Sequence, residues 1–205
     1  MAQIIKMKES SNIRWRKASD CVSSGRLKEA LDIFESLLED GDLGVYTEIG
    51  NLFELGGGGI ERNLDTARKW YMKSIEETDD DYGYVLMARL ALNGFTDAGT
   101  PDDAIEYLRI ADSTNNELAT LFLGLIYYFG GPVPKDMDCA AKFLKKSSEQ
   151  GYLLSQRLLS VVEIQQGHII HGLRLNIKAR WQAYKLSKKY PPDYRLKYYY
   201  THFRY

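Results

Sequence analysis

Residues 119–151 read ATLFLGLIYYFGGPVPKDMDCAAKFLKKSSEQG, and this stretch decides the fold. From Ala119 to Phe129 large apolar residues recur at three and four, the spacing of one helix face, with the small Gly124 among them. Gly130-Gly131 then stop the helix, Pro134 sits in the turn, where its missing amide costs little, and Asp136 stands where a cap for a second helix is needed. From Cys139 the three-and-four spacing returns around Ala140, Phe143 and Leu144. One unit is therefore helix, glycine-rich turn, helix, and small residues at Gly124 and Ala140 let the two helices approach closely.

Moving outward, the same pieces recur. KEALDIFESLLEDG from Lys28, DTARKWYMKSIEE from Asp65 and DDAIEYLRIADS from Asp102 each carry an alanine followed by large apolar residues. Ala30, Ala67, Ala104 and Ala140 are 37, 37 and 36 residues apart. IGNLFELG at Ile49, MARLALNG at Met87 and LGLIYYFG at Leu123 each end in glycine, at Gly56, Gly94 and Gly130. Gly50 and Ala88 hold the place of Gly124, and Asp65 and Asp102 hold that of Asp136 as cap candidates. A fixed period in this range marks a repeat array, in which each unit buries its apolar face against the next.

These residues resemble the Sel1-like repeats, relatives of the tetratricopeptide repeat. The match at 119–151 runs through Ala119, Leu123, Gly124, Tyr127, Gly130, Val133, Asp136, Ala140, Phe143, Leu144, Lys146 and the closing Glu149-Gln150-Gly151. Residues 45–78 match nearly as well, through Ile49-Gly50, Phe53, Gly57, Gly59-Ile60, Ala67, Trp70-Tyr71 and Lys73, with one extra glycine in the turn. Residues 83–115 keep the helices but carry Thr96, Asp97 and Thr100 where the pattern has Gly, Val and Asp. Residues 9–41 and 153–190 read as cap-like end units, and 191–205 as a basic, tyrosine-rich tail after Pro191-Pro192. The expected fold class is all-α, a right-handed superhelix of about five two-helix units spanning 1–190.

The resemblance implies that the first helix of each unit lines a concave surface that binds another protein. The positions facing away from the packed sites are Thr47, Asn51 and Glu54, then Val85, Arg89 and Leu92, then Leu121, Leu125 and Tyr128. The row grades from polar to apolar, which marks either an interface or part of the core. The expected function is a non-catalytic scaffold or adaptor that takes a partner peptide or protein in this groove.

Charge divides the chain unevenly. Basic residues outnumber acidic ones 5 to 1 in 1–17 and 10 to 2 in 157–205, whereas 18–156 carry 12 against 25, and the whole chain is −1. Arg180, Lys185, Lys188, Lys189, Arg195 and Lys197 form a basic patch interleaved with Trp181, Tyr184 and the tyrosines of the tail. Three readings stay open there: an anionic membrane surface or acidic protein, single-stranded nucleic acid as the least favoured partner, or a cap over the last repeat. The gradient also suits head-to-tail self-association.

Chemistry of other kinds finds little support. The three histidines, His168, His171 and His202, stand near no cysteine or nucleophile motif, so catalytic residues, metal ligands and cofactors are all expected to be none. An enzyme using His168 or His171 remains the distant alternative. The glycine run at Gly56–Gly59 lacks the Lys-Ser/Thr ending of a phosphate loop, and the acidic run at Thr78–Asp81 lacks the spacing of a calcium loop. Asp79–Asp81 are expected in a solvated loop, and Trp15, Trp70 and Trp181 in or near the core. Cys21 and Cys139 read as reduced core thiols. With no apolar run of spanning length and no secretory pattern in MAQIIKMKESSNIRWRK, a cytoplasmic location is expected.

Overall fold

The computed structural model describes residues 2–188, and in these it is all-α, with no strand beyond one isolated bridge. Ten helices follow in chain order: α1 (Ala2–Ser23), α2 (Leu27–Glu39), α3 (Tyr46–Leu55), α4 (Leu64–Thr78), α5 (Asp81–Leu92), α6 (Pro101–Ser113), α7 (Glu117–Phe129), α8 (Met137–Glu149), α9 (Leu153–Gln165) and α10 (Ile169–Ser187). They form two compact units that divide after Thr100, α1–α5 in the first and α6–α10 in the second. The division falls in the 83–115 segment, at the turn where threonines replace the glycine and aspartate of the pattern.

Within each unit, antiparallel helix pairs pack as the small residues predict. A Cβ placed on Gly124 would lie 2.9 Å from Cδ2 of Leu144, so α7 and α8 meet closely at that glycine. In the first unit Phe34, Leu37, Ile49, Leu52 and Ile60 form one dry cluster, with Trp15 and Trp70 packed at its edge. Trp15 meets the Phe34 ring edge-on at 5.4 Å and donates through Nε1 to Asp42 Oδ2 at 2.8 Å, so its polar tip is satisfied.

The two best-matched turns close in the same way. Asn63 N–H donates to the Phe53 carbonyl at 2.8 Å, and Asp136 N–H to the Tyr127 carbonyl at 3.0 Å, so each turn is tied back to the end of its first helix. Capping agrees with the sequence at Asp136, which accepts from the amides of Asp138 and Cys139 at 3.0 and 2.9 Å. The backbone bond from Cys139 holds the Asp136 carboxyl below its ordinary range. Elsewhere the cap differs. Asn63 caps α4 by accepting from Thr66 N at 2.9 Å, and Asp65 and Asp102 lie inside their helices' first turns, favourable there through the helix dipole.

The glycine run is a tight reversal. Gly57 and Ile60 exchange both backbone hydrogen bonds, at 2.7 and 3.0 Å, with Gly58 and Gly59 at φ +56° and +91° between them. The Gly58 carbonyl also accepts from Lys28 N–H at 3.1 Å, and a Cβ on Gly58 would stand 2.3 Å from the Gly25 carbonyl oxygen. This turn therefore rests on the turn of the preceding pair, a contact only glycine permits.

The acidic run is structural rather than a solvated loop. Asp79 ends α4 in the left-handed conformation, and Asp80 caps α5 through Tyr82 N–H at 3.0 Å while accepting from Ser74 Oγ at 2.7 Å. Among the described residues no helix is long and apolar enough to cross a membrane.

Candidate functional site

Three of the nine predicted groove residues converge in the first unit. Asn51 and Glu54 lie three apart on α3, and Arg89 on α5 reaches across to both. Its Nη2 donates to Asn51 Oδ1 at 2.9 Å and to Glu54 Oε2 at 2.6 Å. Tyr71, entering from α4, donates through its hydroxyl to the same Glu54 oxygen at 2.7 Å, and that hydroxyl lies 3.0 Å from Asn51 Oδ1. One carboxylate and one amide thus hold a guanidinium and a phenol from two other helices.

Electrostatics follow from the burial. The Tyr71 ring is wholly buried, and desolvation, then the charge and hydrogen bond of Glu54, push its hydroxyl far above the ordinary phenol range. Burial works against the charge on Arg89, but the hydrogen bond and charge of Glu54 outweigh it and fix the guanidinium in its ionised form. The network lines an open cleft of about 510 Å³ with Leu55 and Arg62 at its rim. Arg62 is itself held there, its Nε donating to the Glu54 carbonyl at 3.0 Å.

The rest of the predicted row has another fate. Thr47, Val85, Leu121 and Leu125 are buried, so they present nothing to a partner. For Leu121 and Leu125 the reason is visible: Tyr152, Leu154 and Leu158 close over them and form a dry cluster with Leu118 and Phe122. Counting from Gly50 and Gly124, Leu125 holds the register of Asn51, so the same position is a polar cleft in one unit and core in the other. Leu92 and Tyr128 are half-buried, outside both arrangements.

A second groove lies in the second unit, where α8, α9 and α10 meet. Its volume is about 680 Å³, its floor includes Leu153, Leu159 and Leu175, and Lys145, Lys178 and Lys185 stand along it. Gln156 lines it, buried, with an Oε1 that has no hydrogen-bond partner. His171 borders the groove, and His168 pairs through Nδ1 with Glu163 Oε2 at 3.0 Å; both histidines also line a shallow hollow with Ile169 and Ile170. Among the described residues no group of three or more His, Cys, Asp or Glu side chains is placed to hold a metal ion.

Of the basic patch, Arg180, Lys185 and Lys188 are exposed on and just after α10, and Lys189, Arg195, Lys197 and the tail lie outside the described residues. Trp181, expected near the core, is instead 57% exposed, because α10 turns Ala179 and Ala183 inward and Trp181 outward. Cys21 is a free thiol in the core and Cys139 a free, half-buried one on α8.

Comparison with known proteins agrees with the repeat pattern. The Sel1 repeat family model matches residues 46–79 and 118–152. A curated relative, the exopolysaccharide production negative regulator of Rhizobium meliloti (strain 1021), is 23% identical over 162 residues, covering 73% of this chain and 60% of the regulator. Among solved structures, a Sel1 repeat protein from Oxalobacter formigenes superposes with a TM-score of 0.60 at 22% identity, over 85% of this chain and 79% of that one. A protective antigen of uropathogenic Escherichia coli displaying an SLR fold also gives 0.60, at 20% identity, over 84% of this chain and 42% of the antigen. The chain thus spans less than half of the antigen and about three-fifths of the regulator.

Proposed function

We propose, from the premise that this chain is a Sel1-repeat protein, that it is a non-catalytic interaction module which binds an extended segment of another protein in the cleft of its first unit. Sel1 repeats generally serve as protein–protein interaction modules, and the fold class gives no more than that. What carries the finer reading is the convergence of Asn51, Glu54 and Arg89, from two neighbouring repeats, on one open cleft. Their hydrogen bonds to each other and to buried Tyr71 fix the side chains in advance, so a partner meets groups already ordered and binding costs little side-chain entropy on this side.

The cleft's two arginines, Arg62 at the rim and Arg89 held by Glu54 within, suit a segment carrying a carboxylate, while exposed Leu55 offers the apolar contact beside it. The test places a photo-crosslinking amino acid at Leu55, and at the exposed Glu76 on α4 as a control, in cells that express the chain. A discrete adduct from position 55 alone, lost when Arg89→Ala and Arg62→Ala are added, is the expected result. Equal adducts from both positions, or an adduct indifferent to the arginines, would remove the cleft as the binding site.

A further inference from the structure

Helix α10 has two apolar faces, one packed against α9 and one largely exposed to solvent. Its inner face turns Gly172, Ala179 and Ala183 toward α9, where a Cβ on Gly172 would lie 2.6 Å from the Ser160 carbonyl oxygen. On the opposite face Ile170, Leu173, Ile177, Trp181 and Tyr184 are 70, 51, 69, 57 and 55% exposed. At roughly 100° per residue these five fall within an arc of about 80°, in a stripe about 21 Å long whose centre lies about 140° around the helix from the buried face. A helix face that meets only water does not gather large apolar side chains in register.

The margins of the stripe say what covers it. Arg180 stands along one edge, and Arg174 and Lys185 along the other. From Ile169 to Lys188 there is no acidic side chain. At the aromatic end, Lys185 Nζ lies 5.1 Å from the Trp181 ring centroid and Lys188 Nζ 5.4 Å from that of Tyr184, so the ammonium groups ride beside the rings they would share an interface with. A second copy of this helix would set cations against cations. A partner helix would need two separate rows of acids, with no acid on α10 to fix its register. A surface apolar at depth and negative at its margins on every side meets all these conditions at once, with tryptophan and tyrosine at the boundary.

We propose that α10 is an interfacial helix, laying its outward stripe into the headgroup boundary of an anionic membrane while its arginines and lysines engage lipid phosphates. The contact is peripheral, made along the helix and not across the bilayer. Its strength joins apolar burial to charge attraction, and salt weakens the second part only.

The test is co-sedimentation of the full chain with vesicles one-third phosphatidylglycerol and two-thirds phosphatidylcholine, beside vesicles of phosphatidylcholine alone. Retention on the anionic vesicles only, with a blue shift of tryptophan emission, is expected. Ile177→Glu with Trp181→Glu should lower retention by at least about tenfold, and so should the milder Leu173→Ser with Ile177→Ser, both with unchanged circular dichroism, since these side chains point away from α9. Residues 189–205 are intact in every variant. Failure of the full chain to bind the anionic vesicles overturns the proposal. So does wild-type retention by the stripe variants, which would assign binding to charge elsewhere on the chain.

Discussion

Gly50 and Tyr71 divide one volume between them: a Cβ on Gly50 would stand 2.4 Å from Cε1 and 2.7 Å from Cδ1 of the tyrosine ring. The missing methyl group of α3 is thus what admits the ring of α4, and the ring carries the hydroxyl that anchors Glu54. Gly50→Ala is expected to destabilise the chain by about 2 kcal/mol, because the buried ring has nowhere to move and overpacking exceeds the gain in helix propensity. Gly124→Ala, which meets the flexible end of Leu144 at 2.9 Å, should stay within about 1 kcal/mol of wild type. Denaturant unfolding of both variants checks the order.

The pairing of Arg89 with Glu54 can be measured by a double-mutant cycle. Arg89→Ala, Glu54→Ala and the double variant should give a coupling of about 1 kcal/mol, below that of a fully buried pair, since the Arg89 side chain is 37% open to solvent. The coupling should shrink in high salt without vanishing. A value near zero would mean the network is a surface contact with no part in ordering the cleft.

Glu48, half-buried in the first turn of α3, supplies a pH signature. Burial raises its carboxyl above the ordinary 4.5, and a hydrogen bond to Asn51 offsets only part of this. The folded chain therefore holds this proton more tightly than the unfolded one, and stability falls as pH rises from about 4.5 through the raised value. Glu48→Gln removes that deficit. The variant should melt above wild type at pH 7, and the difference should close as the pH is brought down to 4. Thermal melts of the two proteins across this range decide the matter, and a difference that grew on acidification would contradict the assignment.

Asn116 caps α7 with a single oxygen, accepting from the amides of Leu118 and Ala119 at 3.1 and 3.0 Å. Asn116→Ala should cost about 1 kcal/mol, and Asn116→Asp should restore most of it through the same geometry. Guanidinium unfolding midpoints report the difference.

Much of this was legible in the sequence. The alanine period and the glycine stops announced an all-α chain of helix, turn and helix, because both follow from close packing and helix termination, which are local. Asn51, Glu54 and Arg89 were legible as one face because they share the register set by Gly50 and Ala88. Burial on the far side of the first helix was not: nothing local to Leu121 and Leu125 says that Tyr152 and its neighbours will fold over them. Tyr71 was noted only as part of the repeat match, yet its register carried a signal. Where Phe34, Leu108 and Leu144 stand in the other units, four residues after the conserved-period alanine, this unit has a hydroxyl. A polar tip at a core position must find a partner, and the structure supplies Glu54 and Asn51.

The turn at Gly56–Gly59 bears on how such a chain can change over generations. Because Gly58 abuts Gly25 and accepts from Lys28, this turn is fitted to the particular neighbour before it. A duplication that copied residues 119–151 into the place of 46–79 would bring a turn one residue shorter, with Pro132 after its glycines, and would lose that seat. Units that share a pattern are therefore not spare parts for one another, and the order in which they stand along the chain is itself inherited information.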